Sequence, residues 1–276
     1  MNPSSTISPE LREWILATAH AGHDPRAVLE LMRAHGYGLH QSRAIITEVL
    51  KLPAATLLAD AAAPGGLRAK HPEAPLARAG DREIRVALSM DRPALRVLEG
   101  LLTGEECDEL IALAEPRLAR ALTVDAAGKQ QVDQRRTSAG MFFKLGELPL
   151  VAQLEQRIAE LLGIPVTHGE GLQILHYLPG QEYTPHYDWF DPEQPGYSAV
   201  TALGGQRIAS VVMYLNTPEA GGGTAFPEVG LTITALRGSA VYFAYEGGDT
   251  SSLHAGLPVL RGEKWIATKW LRERPY

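Results

Sequence analysis

The stretch "GLQILHYLPGQEYTPHYDWF" (residues 171–190) joins a strand-like run to a turn and then to a cluster of aromatic, imidazole and acidic side chains. Its first eight residues are typical of a β-strand, and the Pro-Gly pair predicts the turn that follows. In an extended segment, residues two apart share a face, so His186 and Asp188 are expected to project together. An imidazole nitrogen beside a carboxylate oxygen provides half of a metal site.

The spacing of this pair is not unique in the chain. His71 with Glu73 and His168 with Glu170 have the same spacing, the first in a region of linker composition and the second in a loop before a strand. From spacing alone, a structural role for His186 therefore remains open beside the metal-binding role.

The chain around this stretch is rich in short strands. Two amphipathic helices come before it, one starting at Thr103 with a capping box to Glu106 and one closed by Gly163. Apolar runs between Gly- and Pro-rich turns predict strands at "REIRVALS", "PALRVLEGLL", "GLQILHYL", "RIASVVMYLN", "LTITAL", "SAVYFAY" and "KWIATKWLR". Helices followed by such a series of antiparallel strands indicate an α+β domain whose body is a β-sandwich or jelly roll.

A second histidine and a lysine lie near the C-terminal end. His254 would complete a set of two histidines and one carboxylate, which holds Fe(II) on one face and leaves other positions open. Strand alternation in "KWIATKW" puts Lys264 and Trp270 on one face and Lys269 on the other. Only one lysine can therefore point into a barrel. Lys264, with apolar neighbours on its face, is the candidate to neutralise an anionic co-substrate, and a solvated lysine at a strand end is the alternative.

The N-terminal region differs from the rest in composition. Residues 8–51 predict three short helices, which bury little surface by themselves. Residues 53–80 are rich in Ala, Pro and Gly without sustained periodicity, which is typical of a linker. We predict a small helical domain at residues 1–52, a linker at 53–80 and the main domain at 81–276. The helices are expected to form a separable module that positions a macromolecular substrate or partner. The alternative is that the apolar stripes of Trp14, Leu31 and Val49 pack directly onto the main domain.

The composition argues against several classes of protein. The formal net charge is -6 over 276 residues, so we expect no nucleic-acid binding through a basic surface. Cys107 is the only cysteine, so we expect a reducing, cytoplasmic compartment and a metal site built from nitrogen and oxygen. The first residues lack the pattern of a signal peptide, and no run approaches about 18 consecutive apolar residues, so no membrane span is expected.

Three stretches are similar to one known family. "HYLPGQEYTPHYDWF", "GGQRIASVVMYLNTPEAGGGTAFPEVGLTITALRGSAVYF" and "SLHAGLPVLRGEKWIATKW" closely resemble, in this order and spacing, the prolyl 4-hydroxylase branch of the Fe(II)/2-oxoglutarate-dependent oxygenases. The resemblance covers about residues 95–274. It implies a double-stranded β-helix, which is a jelly-roll barrel with its metal inside the mouth.

The resemblance also implies roles for single residues. His186, Asp188 and His254 are expected to be catalytic and to bind Fe(2+). Lys264 is expected to form a salt bridge with the distal carboxylate of 2-oxoglutarate, a contact that suits a charge-assisted pair. The other residues that the resemblance places in the pocket are Tyr177 beside 2-oxoglutarate, Tyr183 and Thr224 in the lining, and Trp270 near the iron. Core packing is the alternative for Tyr183 and Trp270.

Two parts of the sequence resemble segments that family members use near the peptide substrate. One is Arg207 in "GGQRIAS", and the other is "DQRRTSAG", with Arg136, Thr137 and Ser138. A surface salt bridge is the alternative for each arginine. The three glycines at residues 221–223 predict a turn rather than a phosphate loop, because no strand, loop and helix with Gly-Lys-Ser/Thr surrounds them.

The function that the resemblance implies is hydroxylation of a prolyl residue in a peptide or protein. Its requirements are Fe(2+), 2-oxoglutarate and O2, with L-ascorbate as a further family cofactor, and its by-products are succinate and CO2. Asp188 argues against halogenation, since the halogenases of this superfamily lack that carboxylate. Two alternatives remain. One is an oxygenase for a free amino acid, a small metabolite or a non-prolyl residue, and the other is a catalytically silent jelly-roll binding or sensor module.

Overall fold

The computed structural model describes most of the chain. The residues that it describes are 7–35, 37, 39–52, 69–120, 122–124, 130–132, 137–245 and 249–276. The chain divides into two compact units, one of residues 1–65 with 246–248 and the other of residues 66–245 with 249–276. Most of the predicted linker, residues 53–68, lies outside the described residues, so the division into three segments stays a prediction.

The first unit contains the three predicted helices. They are α1 (Pro9–His20), α2 (Pro25–Ala34) and α3 (Leu39–Leu50). Ser8 caps α1, since its hydroxyl accepts a hydrogen bond from the Leu11 amide at 3.2 Å and satisfies a donor that the first turn leaves unpaired. The apolar sides of the helices meet in a small core of Ile15, Val28, Leu29, Met32, Ile45, Ile46 and Val49.

The second unit is built on a nine-stranded antiparallel sheet. In their order across the sheet, the strands are β1 (Leu76–Ala79), β2 (Arg82–Met90), β3 (Ala94–Glu99), β14 (Ala240–Ala244), β10 (Arg207–Tyr214), β17 (Lys264–Arg272), β8 (Leu172–Tyr177), β7 (Ala139–Phe143) and β4 (Ala119–Arg120). Strands that are distant in sequence therefore lie side by side, with β10 and β17 near the centre.

A smaller sheet of four strands completes the body. Its order is β13 (Leu231–Ile233), β12 (Thr224–Phe226), β15 (His254–Gly256) and β9 (Tyr183–His186). Two further pairs are β11 (Ala220–Gly221) with β16 (Val259–Arg261) and β5 (Leu122–Val124) with β6 (Gln130–Val132). Apolar side chains from both sheets, such as Val212 and Phe226, share one core cluster. The predicted α+β fold with a jelly-roll body is confirmed.

Among its described residues, this unit also has three α-helices: α4 (Gly104–Ala114), α5 (Pro149–Leu162) and α6 (Tyr197–Thr201). The predicted capping box at the start of α4 is present, with Thr103 and Glu106 each bonding the other's backbone amide. Gly163 ends α5 with a φ of 64°, a left-handed conformation that glycine adopts without strain. In the described part of the chain, every helix is too short or too polar to cross a membrane.

The largest core lies between the helices and the large sheet. Leu154 and Ile158 of α5 belong to the same buried cluster as Ile174, Val211 and Ala267 of three adjacent strands. Residues of opposite parity on these strands face the smaller sheet instead. This arrangement leaves the other face of the large sheet for the site described below.

One boundary differs from the sequence prediction. β1 lies within residues 53–80, which the composition predicts as linker, and it pairs with β2 from Leu76 opposite Arg85 to Ala79 opposite Arg82. The predicted linker therefore ends before residue 76. A four-residue strand of Leu, Ala and Arg has neither β-branched residues nor a marked alternation, so its composition does not distinguish it from a linker.

Candidate active site

Two histidines and an aspartate come together where the smaller sheet faces the large one. His186 at the end of β9 lies directly opposite His254 on β15 in the antiparallel register. Asp188 follows two residues after His186. Its Oδ1 is 3.7 Å from His186 Nε2, and its Oδ2 is 3.5 Å from His254 Nε2. One ligand atom from each of the three residues lies within 4.8 Å of the others, so the set can hold a single metal ion.

The orientation of both imidazoles is set by backbone carbonyls. His186 Nδ1 bonds to the Thr184 carbonyl oxygen at 2.9 Å, and His254 Nδ1 bonds to that of Ser252 at 3.0 Å. Because a carbonyl oxygen can only accept, each Nδ1 carries the hydrogen and each Nε2 keeps a lone pair. Outer contacts of this kind fix the tautomer and the ring orientation of metal-binding histidines.

Asp188 is buried and is held by neighbouring polar groups. Ser210 on β10 donates a hydrogen bond to Asp188 Oδ2 at 2.5 Å, and the hydroxyls of Ser210 and Tyr245 are 3.0 Å apart. Burial by itself would raise the pKa of Asp188, but His254, His186 and Arg207, together with the bond from Ser210, lower it well below its usual value. The carboxylate is therefore ionised at neutral pH and suited to bind a cation.

A pocket extends from these three residues between the sheets. Its lining consists of Leu175, Tyr177, Tyr183, His186, Asp188, Val212, Thr224, His254, Gly256, Lys264, Ile266, Thr268 and Trp270. The structure thus brings together all eight residues that the sequence assigns to the metal and cofactor. Tyr183 stacks on His186 with ring centroids 3.6 Å apart, so it packs against a histidine of the set as well as lining the pocket.

Among the described residues, Lys264 is the buried lysine that lines this pocket. Its side chain is 2% exposed, and among the described residues none forms an ion pair or hydrogen bond with its ammonium group. Its Nζ lies 5.3 Å from the centroid of the Tyr177 ring, directly across from it in the β17–β8 register. Burial lowers the pKa of Lys264 to about 8. A buried ammonium without a carboxylate is costly, so the pocket is built for an anionic ligand.

Two glycines leave room for the Lys264 side chain. A Cβ on Gly222 would lie 3.2 Å from Lys264 Cδ, and a Cβ on Gly256 would lie 3.8 Å from Lys264 Nζ. Gly256 is the cross-strand partner of Thr224. The ammonium group and the Thr224 hydroxyl are therefore brought to the same part of the pocket.

Arg207 lies next to Asp188 and hydrogen bonds to two other residues of the protein, one of them Asp188 itself. Its Nε and Nη2 donate to the two carboxylate oxygens of Glu170 at 2.6 and 2.9 Å, and its Nη1 donates to the Asp188 carbonyl oxygen at 3.3 Å. The guanidinium carbon is 3.9 Å from the Trp270 ring centroid. Although burial lowers the pKa of Arg207, the Glu170 carboxylate raises it above the usual value. The predicted alternative, a salt bridge, is present, but the pair is largely buried and does not lie at the surface. A contact with substrate stays a prediction.

The other predicted substrate residues are placed only in part. Arg136 lies outside the described residues. Thr137 is exposed and exchanges hydrogen bonds with the backbone of Glu182, while Ser138 is buried and is not part of the pocket lining. Their predicted role in substrate binding stays a prediction.

The two histidines with similar spacing have other partners. His71 Nδ1 lies 3.1 Å from the Tyr242 hydroxyl, and His168 Nδ1 lies 3.3 Å from the Arg272 carbonyl oxygen. Glu170, which shares its spacing motif with His168, instead binds Arg207. In the part of the chain that the structure describes, neither histidine belongs to the metal-binding set.

Sequence reasoning missed the polar side chains on β10. Ser210 and Tyr214 lie on the same face of β10 as Val212, which lines the pocket. Ser210 hydrogen bonds to Asp188, and Tyr214 hydrogen bonds to Thr224. A polar residue at an inward position of an otherwise apolar strand is the signal that could have identified them. That signal requires the strand register, which the sequence does not supply.

Comparison with known proteins agrees with this geometry. A family model described as the 2OG-Fe(II) oxygenase superfamily matches residues 172–272. The probable prolyl 4-hydroxylase 10 of Arabidopsis thaliana is 41% identical over 208 residues, which cover 67% of this chain and 70% of that protein. Prolyl 4-hydroxylase 5 of the same plant is 39% identical over 215 residues, or 69% of this chain and 72% of that one. The chain belongs to the prolyl 4-hydroxylase branch of the 2OG-Fe(II) oxygenases.

A solved structure extends the similarity to the fold of this oxygenase. The viral collagen prolyl hydroxylase from Paramecium Bursaria Chlorella virus-1, in its 2OG complex, is 30% identical with a TM-score of 0.53. The match covers 64% of this chain and 95% of that one. About a third of this chain therefore lies outside the match.

The residues of the oxygenase fit the two groups that its family uses, Fe(2+) and 2-oxoglutarate. His186, His254 and Asp188 offer two imidazole nitrogens and one ionised carboxylate, a donor set suited to Fe(II) with open positions. Lys264 offers a buried positive charge without a carboxylate partner among the described residues, which suits the distal carboxylate of 2-oxoglutarate. When bound, the iron would supply the redox chemistry by which O2 oxidises 2-oxoglutarate.

Proposed function

We propose that this oxygenase hydroxylates a prolyl residue in a peptide or protein, with one oxygen atom of O2 entering the prolyl residue and the other entering succinate as 2-oxoglutarate is converted to succinate and CO2. The observation that carries the proposal is the pairing of the metal-binding set with a buried Lys264 in one pocket. The choice of a prolyl substrate is supported by the relatives, whose names describe them as prolyl 4-hydroxylases.

Different residues of the site would bind the metal, bind the co-substrate and exclude water. His186, His254 and Asp188 would hold the ion where the two sheets face each other. Lys264, Tyr177 and Thr224 line the part of the pocket that takes 2-oxoglutarate, where the charged pair is protected from water. Tyr183 and Trp270 line the same pocket and help to exclude water from the reacting groups.

The positions of Asp188 and Arg207 explain how the metal-binding carboxylate keeps its place. The backbone of Asp188 is bound by Arg207, and its side chain is bound by Ser210. A carboxylate fixed at both points does not need to reorganise when a ligand enters, which is the condition for effective catalysis in a buried site.

The experiment that tests the function uses the full chain with Fe(II), 2-oxoglutarate and a synthetic proline-rich peptide. Mass spectrometry should show the addition of one oxygen atom to a proline, together with an equal amount of succinate. A peptide with alanine in place of each proline should gain no oxygen, and the variant His186→Ala should form no succinate. Oxidation of free amino acids instead of the peptide would favour a small-molecule substrate, and absence of all turnover would favour a silent binding module.

The need for L-ascorbate and the cytoplasmic location stay predictions from the sequence. Adding and omitting L-ascorbate in the same assay tests the first. Expression of the tagged chain in its own cells, followed by fractionation, tests the second.

A further inference from the structure

A buried hydrogen bond connects β10 to the pocket lining. The Tyr214 hydroxyl donates to Thr224 Oγ1 at 2.7 Å. Tyr214 is fully buried, and Thr224 is 4% exposed. Thr224 lines the pocket, whereas Tyr214 lies behind it and is absent from the lining. The Tyr214 hydroxyl can therefore affect a ligand through Thr224.

The direction of this bond determines how Thr224 can act. A threonine hydroxyl has one hydrogen to donate and two lone pairs to accept with. Since Thr224 Oγ1 accepts the hydrogen of Tyr214, the hydrogen of Thr224 must point elsewhere. Among the described residues, none accepts it. A buried donor without an acceptor is costly, so the group is suited to a ligand that brings an acceptor into the pocket.

Tyr214 is suited to remain a donor at all working pH values. Burial raises the pKa of Tyr214 far above its usual value, and the bond to Thr224 only partly opposes this. The phenol therefore keeps its hydrogen, and the polarity of the Tyr214 to Thr224 bond does not reverse.

The acceptor that fits this donor is an anionic oxygen close to Lys264. Thr224 pairs with Gly256 across β12 and β15, and a Cβ on Gly256 would lie 3.8 Å from Lys264 Nζ. The Thr224 hydroxyl and the Lys264 ammonium group thus serve neighbouring positions of the same pocket. A carboxylate has two oxygens, each able to accept, and can bind a cation and a hydroxyl at once.

We propose that Tyr214 is a positioning residue that holds the Thr224 hydroxyl as a donor toward the ligand carboxylate bound by Lys264. The inference rests on the proposed function, because that carboxylate is the distal one of 2-oxoglutarate. Its consequence is selectivity for 2-oxo acids with a second carboxylate. Without Tyr214, the Thr224 hydroxyl can rotate and loses its fixed direction, and its oxygen loses a hydrogen-bond donor.

The test measures ligand binding directly, on the full chain loaded with Mn(II) in place of iron. Titration calorimetry compares 2-oxoglutarate with 2-oxopentanoate, which has the same keto-acid end but no distal carboxylate. Tyr214→Phe should weaken 2-oxoglutarate binding about three- to tenfold, the range that one buried hydrogen bond provides. Binding of 2-oxopentanoate and of Mn(II) itself should stay unchanged.

Substitutions at Thr224 show whether Tyr214 acts through it. Thr224→Val removes the hydroxyl at almost constant shape and should weaken 2-oxoglutarate binding at least as much as Tyr214→Phe. The double variant should be no weaker than Thr224→Val alone, since two residues in one chain of bonds are not additive. Thr224→Ser keeps the hydroxyl and should retain most of the affinity. These variants keep the proposal testable if Tyr214→Phe does not fold.

Tyr242→Phe is the matched control. Tyr242 is also fully buried, but its hydroxyl lies near His71 on the other face of β14, outside the pocket lining. Its loss should leave 2-oxoglutarate binding unchanged. An unchanged 2-oxoglutarate affinity of Tyr214→Phe would overturn the proposal, whatever the effect of Thr224→Val. If the unaltered protein loaded with Mn(II) does not bind 2-oxoglutarate at all, the proposed function itself is wrong.

Discussion

Lys264 and Lys269 lie on the same strand, β17, and both are buried, but on opposite faces of the large sheet. Lys264 lines the pocket beside the metal-binding set. Lys269 points the other way and donates hydrogen bonds to Glu155 of α5 and to the Glu170 carbonyl oxygen. The sequence predicts that only one lysine points into the barrel, and this is confirmed. The second lysine is buried as well, in a structural ion pair.

The two lysines should therefore differ in what their loss affects. Lys264→Ala should weaken 2-oxoglutarate binding by about 30-fold or more, because the loss of a buried charged contact costs about 2–5 kcal/mol. Lys269→Ala should instead lower the free energy of unfolding by about 3–5 kcal/mol, since it leaves Glu155 buried without its cation. Calorimetric titration and urea unfolding measure the two effects. Equal effects of both substitutions on 2-oxoglutarate binding would contradict the assignment.

The environment of Lys264 also predicts a pH dependence. Its pKa in the ligand-free protein is lowered to about 8 by burial. Below this pH the ammonium group is charged and binds a carboxylate, and above it the neutral amine does not. Because kcat/KM reports the free enzyme, kcat/KM for 2-oxoglutarate should fall as the pH rises from about 7 to about 9. Lys264→Ala should remove this fall. If the same fall persists in the variant, another group is responsible for it.

The sequence could predict the site residues that belong to local motifs, but not the contacts that these residues make with distant parts of the chain. His186, Asp188, His254 and Lys264 belong to motifs whose spacing and strand parity the sequence carries. The partners of these residues come from strands distant in sequence, and their pairing depends on register. Arg207 illustrates the limit, since its binding to Glu170 and its position over Trp270 require three segments to be placed together. The sequence therefore predicted the metal-binding residues and missed the side chains that hydrogen bond to them.

The same reasoning applies to the fold. Long strands that are rich in apolar residues, such as β10 and β17, and the helices α4 and α5 were predicted correctly. The strands that the sequence did not predict have two to five residues, such as β1, β11 and β12. In so short a segment, neighbouring strands rather than local propensity decide the conformation.

Ser210 should contribute to metal affinity through Asp188. Its hydroxyl donates to Asp188 Oδ2 at 2.5 Å. Loss of such an outer contact typically weakens metal binding about 10- to 100-fold. We expect Ser210→Ala to weaken Mn(II) binding within that range, as measured by competition with a chelator. Ser239→Ala is the control, because Ser239 is also buried but binds the Leu236 carbonyl oxygen away from the pocket. Unchanged Mn(II) affinity in Ser210→Ala would show that Asp188 is held without it.

Substitution of Arg207 should affect the stability of the protein more than its binding of substrate. Its removal leaves the Glu170 carboxylate without its two-point partner and takes away the cation above Trp270. Arg207→Ala is expected to lower the free energy of unfolding by about 3 kcal/mol, the low end for a broken buried pair, because Arg272 Nη1 remains 3.3 Å from Glu170 Oε1. Arg207→Lys should restore little, because a single ammonium group cannot replace the two-point contact. Urea unfolding checks both variants. If Arg207→Ala unfolds normally and only raises the KM for a peptide, its main role is in substrate binding.

Truncation of the chain should show whether the second compact unit is stable alone. Residues just before the predicted start at 81 take part in that unit. The Lys70 amide donates to the Leu162 carbonyl oxygen at 2.7 Å, and Arg96 Nε donates to that of Pro72 at 3.0 Å. A chain of residues 69–276 keeps both contacts and β1. We expect it to fold, and to bind Mn(II) and 2-oxoglutarate as the full chain does, with calorimetry and thermal unfolding as the measurements.

A shorter chain of residues 82–276 provides the comparison. It lacks β1, the buried Ala79 and the Gly80 amide that donates to Glu160 at 2.6 Å. Because β2 then becomes an edge strand and apolar surface is uncovered, this chain should melt at a lower temperature and associate more readily. Insolubility of the 69–276 chain would contradict the separable helical domain. If that chain is soluble, it should hydroxylate a short peptide as well as the full chain does. It should lose efficiency only on a protein target, since the helices would act by raising the effective concentration of that target.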